Sequence, residues 1–135
     1  MDLEVSLEDD IETDEIIDLY KKTAWSSAKK PEKLIPALKN SDALVTARIS
    51  GKLVGIGNAI FDGSLVVYYP HMLVHPDYKG KGVGRAMMEL LKQKYSSFHQ
   101  QMLTADIGAI DFYKALGFER AGKTEPMWIY TGNEH

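Results

Sequence analysis

A chain of 135 residues, 44% apolar and 26% charged, has the size and balance of one soluble globular domain with a buried core, taken here as residues 1–135. Sixteen Lys and Arg against nineteen Asp and Glu leave a formal charge of −3, which excludes a general basic coat for nucleic acid. No stretch approaches the roughly 18–20 apolar residues of a membrane span. The absence of cysteine excludes a disulfide scaffold, a cysteine nucleophile and thiolate metal ligation. The start, Met1-Asp2-Leu3-Glu4, is acidic and lacks the basic and apolar regions of a signal peptide, so the expected location is cytoplasmic.

Leu3, Val5 and Leu7 alternate with polar residues and predict a first strand. Thr13 to Trp25 predicts a helix, with Thr13 as cap, Asp14 and Glu15 at its start and Lys21 and Lys22 towards its end. A second helix is expected from Pro31 to about Lys39. Ala43–Ile49 and Leu53–Phe61 are strands about the turn Ser50-Gly51-Lys52, and Asp62-Gly63 signals the next hairpin. Leu65 to Val74 is a long β-prone run. A glycine-rich turn then opens a helix over about Arg85–Ser96. Gln101–Ala105 reads as a short strand, and Ala109–Leu116 as a helix stopped by Gly117. Phe118 and Met127–Tyr130 carry the last strand signals. The order β, αα, βββ, α, β, α, ββ predicts an α/β or α+β fold, with a central mixed sheet flanked by about four helices.

The turn Lys79-Gly80-Lys81-Gly82-Val83-Gly84 leaves a strand and enters a helix. The first helical N–H groups lack internal partners, and the helix dipole places partial positive charge there. Glycines allow a phosphate close to the backbone, and Lys79, Lys81 and Arg85 add charge. One reading is a diphosphate site over residues 79–85; the other is a plain connection with solvated lysines. The spacing G-x-G-x-G is not that of a dinucleotide fold. Gly117 to Thr124 matches G-x-x-x-x-G-K-[ST], but a helix precedes it and a strand signal follows, the reverse of what that motif needs. A helix stop followed by a hairpin loop is the expectation there.

Val74-His75-Pro76 followed by Lys79-x-x-Gly82-x-Gly84 resembles the acyl-CoA loop of the GNAT N-acetyltransferases, Q/R-x-x-G-x-G/A after a strand ending V-x-P, with Lys79 in the Gln/Arg position. Ala109-Ile110-Asp111-Phe112-Tyr113-Lys114-Ala115-Leu116-Gly117-Phe118 resembles the same family's A-x-x-F-Y-x-x-L-G-F. The two stand in the family's order, and the element order agrees along the whole chain. The resemblance implies a single-domain GNAT-like fold with a largely antiparallel sheet, and acetyl-CoA as cosubstrate. Backbone groups of Met72, Leu73 and Val74 would pair with the pantetheine arm like an added strand. Lys79, Gly80, Lys81, Gly82, Val83, Gly84 and Arg85 would hold the pyrophosphate. Seven residues before Tyr113, where many members carry a cofactor-contacting Asn, stands Asp106. Its carboxylate accepts but cannot donate, so it is either a cofactor contact or the cap of the following helix.

The implied chemistry is direct attack of a primary amine on a thioester. Tyr113 stands where the family places the hydroxyl that protonates the thiolate. The base is less clear, because Leu65–Val74 holds no carboxylate; His71 is the group there with a pKa near neutral. Strict alternation puts residues 69, 71 and 73 on one face of the strand and 68, 70 and 72 on the other. Tyr68 and Tyr69 offer a proton relay through water. In this fold the first two helices and their connection wall the acceptor side, which makes Trp25-Ser26-Ser27 a candidate acceptor contact, against a core role for Trp25; Tyr69 is a further candidate acceptor contact. The acidic run Glu8-Asp9-Asp10-Ile11-Glu12 either attracts a cation or is a solvated loop. His75 is read as a loop residue, and His99 and His135 have no partners at ligand spacing, so no metal is assigned. The expected acceptor is a small-molecule amine, with neither nucleic acid nor membrane as partner and a homodimer left open. The alternatives are a protein or peptide acetyltransferase and a non-catalytic acetyl-CoA sensor.

Overall fold

The structure, a computed structural model, describes residues 2–23 and 25–132. Met1, Ala24 and His135, which entered the readings above, lie outside it. The strands are β1 (Leu3–Leu7), β2 (Ala43–Ile49), β3 (Lys52–Phe61), β4 (Val66–Tyr68), β5 (Met72–Val74) and β6 (Gln100–Met102). The helices are α1 (Thr13–Lys22), α2 (Pro31–Lys39), α3 (Val83–Lys94) and α4 (Ile110–Ala115). One open sheet of six strands runs β1-β2-β3-β4-β6, with β5 also on β3. All its pairs are antiparallel except β4 with β6.

Local chemistry explains most of these elements. The β2–β3 turn is tight because Ser50 and Gly51 both take positive φ, at 51° and 83°. After β3 the Asp62 carboxylate accepts from the N–H groups of Ser64, Leu65 and Val66, and Gly63 takes φ 88°. At the start of α1 the cap position is Glu12 rather than Thr13, and no side chain caps it. Asp14 and Glu15 instead face the dipole directly.

Two apolar layers sandwich the sheet. On one face α3 packs Val83, Met87, Met88 and Leu91 against Val45, Ala47, Ala59, Val67 and Tyr69, and Leu116 after α4 joins them. On the other, α1 and α2 pack Ile16, Leu19, Tyr20, Leu34 and Leu38 against Leu44, Leu53, Ile56 and Leu73.

Two strand expectations are corrected. The run Leu65–Val74 is two strands, broken at Tyr69-Pro70-His71. Residues 118–130 form no strand. Among the described residues their backbone bonds are local: Phe118 N–H to Tyr113 O, Gly122 N–H to Arg120 O and Thr124 N–H to Ala121 O. Pro126 has no N–H to give a ladder, and the β-prone run Met127–Tyr130 after it forms no strand and is largely exposed. The predicted hairpin loop over Gly117–Thr124 is likewise absent, although Gly117, at φ 98°, does stop the helix.

Candidate active site

The break at Pro70 creates a cleft. Upstream, β4 pairs with β6; Tyr69 N–H to Met102 O (3.0 Å) carries the backbone pairing one residue further, and the Tyr68 hydroxyl lies 2.9 Å from Thr104 Oγ1. Downstream, β5 pairs with β3 and, among the described residues, with no other strand, so the sheet splays open between β5 and the chain after β6. Asn58 N–H bonds His71 O at 3.1 Å and His75 N–H bonds Val54 O at 2.7 Å, which sets the phase of the antiparallel ladder. In that phase Leu73 spends its backbone groups on Ile56 of β3, while those of Met72 and Val74 point to the open edge. An arm added as a strand would therefore meet Met72 and Val74, with Leu73 supporting them from behind.

At the downstream end of β5, Gly80 and Gly82 take φ 77° and 81°, and Gly82 is the cap residue of α3. The first helical bond is Ala86 N–H to Gly82 O, so the N–H groups of Val83, Gly84 and Arg85 have no partner within the helix. A Cβ on Gly80 or Gly82 would meet no protein atom within 4 Å, so the turn is an open cradle. Lys79 and Arg85 line the same cavity as the cradle. Lys81 is not among the lining residues; its ammonium lies 5.9 Å from the Tyr78 ring centroid. Bare N–H donors, open space and two cations fit a diphosphate.

The cavity, about 1080 Å³, continues from this cradle past Tyr113 to His71 and Trp25. Tyr113 is half-buried, its ring edge-on to Phe112 and Phe118. Burial, reinforced by the negative charge of Asp106, raises its pKa and holds the phenol protonated. Asp106 stands at the cap position of the short turn Ile107–Ala109, but its side chain makes no capping bond. The capping alternative is thus not what the side chain does; it lines the cavity instead.

His71 is held from several sides. Its N–H donates to Asn58 Oδ1 at 3.0 Å, and Asn58 Nδ2 donates in turn to Ser41 Oγ at 2.9 Å. Its Nδ1 lies 2.7 Å from the Tyr20 hydroxyl, and its ring meets the Trp25 edge at 4.5 Å between centroids. Tyr20 is fully buried, and burial raises its pKa, so its hydroxyl stays neutral. Tyr20 was not singled out from sequence, where it reads only as part of an apolar helix face. Trp25 serves both alternatives: it packs against the α1–α2 core and lines the cavity.

The expected alternation fails at Pro70. Tyr69 points to the α3 layer, its hydroxyl donating to Gln101 Oε1 at 2.7 Å, while His71 and Leu73 point to the α1 layer. Tyr69 borders the cavity but is 4% exposed, with its hydroxyl occupied. The acidic run also falls elsewhere: Glu8 joins Glu15 on Arg48, at 3.1 and 2.8 Å, and none of the run lines the cavity. His75 is buried, and its Nδ1 accepts from Asp77 N–H, capping the turn Pro76–Tyr78. His99 is exposed, and among the described residues no cluster of metal-ligating side chains occurs.

The run after α4 supplies a wall that the sequence, read as a strand, had hidden. Pro126, Met127, Trp128 and Tyr130 line the cavity. Trp128 and Tyr130 stack at 4.7 Å, and the Tyr130 hydroxyl lies 2.9 Å from Ser26 Oγ, next to Trp25.

A family model described as an acetyltransferase (GNAT) domain matches residues 8–126. An uncharacterized N-acetyltransferase, ycf52, of Pyropia yezoensis is 29% identical over 124 residues, covering 87% of this chain and 70% of that protein. A chloroplastic GCN5-related N-acetyltransferase 2 of Arabidopsis thaliana is 36% identical over 70 residues, covering 50% of this chain and 27% of that protein. The chain therefore spans only part of the length of these relatives. Among solved structures, a GNAT family acetyltransferase from Streptococcus pneumoniae TIGR4 superposes with a TM-score of 0.84 at 22% identity, covering 96% of this chain and 99% of that one. That likeness shows the fold.

Proposed function

The chain belongs to the GNAT acetyltransferase family, and on that premise we propose that it is an enzyme that moves an acetyl group from acetyl-CoA to the primary amine of a small molecule. The observation that carries this reading is the continuity of one cavity from the glycine cradle, along the open edge of β5, to Tyr113 and His71.

In this reading the N–H groups of Val83, Gly84 and Arg85, with Lys79 and the Arg85 side chain, hold the pyrophosphate. Met72 and Val74 hold the pantetheine arm through their free backbone groups. Bound there, acetyl-CoA supplies an acetyl thioester activated towards an amine. A free alkylamine is protonated at neutral pH, with a pKa near ~10.4, so a group must take its proton before it can attack. His71 takes that proton at Nε2 and passes it to solvent, then takes the nitrogen's second proton as the new C–N bond forms and the C–S bond breaks. This requires Nδ1 to carry the other ring proton and donate it to Tyr20 Oη, the pair seen at 2.7 Å. Tyr113 gives its hydroxyl proton to the departing thiolate. A raised pKa suits that role, because the phenol arrives protonated and becomes a stronger base once it has given the proton up. Proton return from His71 to Tyr113 through solvent resets the pair.

A thiol-release assay with acetyl-CoA and a panel of amines and lysine peptides tests the proposal. Amine-dependent release supports it. CoA binding without release for any amine would make the protein a sensor, and release with peptides alone would make it a protein acetyltransferase.

A further inference from the structure

The acceptor end of the cavity has a definite chemistry. The glycine cradle follows β5 and His71 precedes it, so the two ends of the cleft lie at opposite ends of that strand. At the His71 end the walls are rings from distant parts of the chain. Trp25 stands edge-on to His71 at 4.5 Å, and Trp128 lies on Tyr130 at 4.7 Å and 26°. The contact of Tyr130 Oη with Ser26 Oγ ties the second pair beside the first. Trp128 lines the cavity and is 67% exposed.

The charges lining the cavity are as telling. Its cations other than histidine, Lys79 and Arg85, both belong to the cradle end. An acceptor bearing phosphate or carboxylate finds no Lys or Arg at the His71 end among the described lining residues. A polyamine finds one carboxylate, that of Asp106, which sits by Tyr113 rather than along an extended acidic trough. What remains is a single amine joined to a flat apolar body.

We propose that the acceptor is an arylalkylamine, its ring lodged against Trp25, Trp128 and Tyr130 and its short alkyl arm carrying the amine towards His71 and Tyr113. This rests on the acetyl-transfer reading for its chemistry but not for its geometry. Aromatic rings attract one another beyond their buried area when offset or edge-on, and an ammonium is attracted to a ring face on the way in. Trp128 is the specificity-determining residue in this arrangement. Trp25 contributes too, but it also supports the core, so Trp128 is the cleaner position to change.

The test compares tryptamine and phenethylamine with n-hexylamine, spermidine, glucosamine 6-phosphate and a lysine peptide in the thiol-release assay. In parallel, tryptamine is titrated by calorimetry into the protein saturated with CoA. The aryl amines should exceed spermidine and the sugar phosphate in kcat/KM by about tenfold or more. Trp128→Ala should cut kcat/KM for tryptamine by about threefold to tenfold, mainly through KM, with the KM for acetyl-CoA unchanged and Trp128→Phe restoring most of the loss. A better rate with spermidine, sugar phosphate or peptide, or a Trp128→Ala variant with an unaltered preference for tryptamine over n-hexylamine, would overturn the proposal. If no amine is acetylated, Trp128-dependent binding of tryptamine still upholds the pocket and only the acetyl-transfer reading falls. If tryptamine neither turns over nor binds, the pocket assignment falls.

Discussion

The glycine cradle can be tested against an internal control. Gly82 and Gly51 take nearly the same left-handed backbone, φ 81° and 83°, and at each an added Cβ would meet no protein atom within 4 Å. Alanine at either site therefore pays only the left-handed penalty, about 1–2 kcal/mol. For a domain of this size each kcal/mol lowers Tm by roughly 3–6 °C. Gly82→Ala and Gly51→Ala should thus lose similar stability in thermal melts. They should part company in calorimetry with CoA. Gly82 lines the same cavity as Val83, Gly84 and Arg85, so a Cβ there takes space that the proposed phosphate needs, whereas position 51 lies in the β2–β3 turn. Displacing a phosphate from one N–H forfeits a hydrogen bond to a charged group, about 1.5–3 kcal/mol, or roughly tenfold to a hundredfold in affinity. Equal CoA affinity in the two variants, at equal loss of Tm, would show that the turn does not hold the pyrophosphate.

Tyr113→Phe should lower kcat by ~10²-fold or more while CoA affinity in calorimetry stays within about twofold, because the hydroxyl acts in the chemical step. Tyr20→Phe removes the partner of His71 Nδ1 without emptying the core; kcat/KM should fall and its pH profile should move, whereas a purely structural role would alter Tm alone. Stability should also depend on pH through Arg48. Burial of Glu8 by itself raises its pKa, but hydrogen bonds from Arg48 and Thr46 outweigh that and leave it below 4.5; Glu15 is lowered chiefly by its hydrogen bond from Arg48. Both carboxyls titrate lower in the folded chain than in the unfolded one, so their contribution is complete above about pH 4.5 and is lost as pH falls through the lowered values. Tm followed from about pH 7 to about pH 3 should drop more steeply for the wild type than for Arg48→Met, and parallel curves would refute the linkage.

Short-range chemistry made most of the fold legible in the sequence. The bounds of β2 and the start of α2 agree with the structure, and α2 ends about where expected, because Pro31 opens α2 and the β-prone run before Ser50-Gly51 defines β2. The glycine turn and the Tyr113 helix were legible for the same reason. What failed depended on distant partners. Met127–Tyr130 has every local mark of a strand, but a strand needs a neighbour, and composition cannot say whether one is within reach. Its two aromatic rings were consequently missed as cavity walls. Tyr20 was missed because a buried tyrosine and a buried leucine look alike in a helical pattern until the hydroxyl's partner is known. The acidic run misled in the opposite direction, since its carboxylate at position 8 neutralises an arginine 40 residues away.

The break at Pro70 is a matter of counting. Leave that residue out, and Val67, Tyr69, Met72 and Val74 would fall on one side of an unbroken alternation, with His71 and Leu73 on the other. The two half-strands are regular; they are joined with one unit of chain too many. A sheet lacking that unit would run β4 straight into β5 and keep its grip on the neighbouring line, leaving no fissure to occupy. The recess is therefore bought with a single surplus residue rather than with an inserted loop. Deleting Pro70 should seal it while leaving most of the core contacts in place, an error of arithmetic that hydrophobic composition would never register.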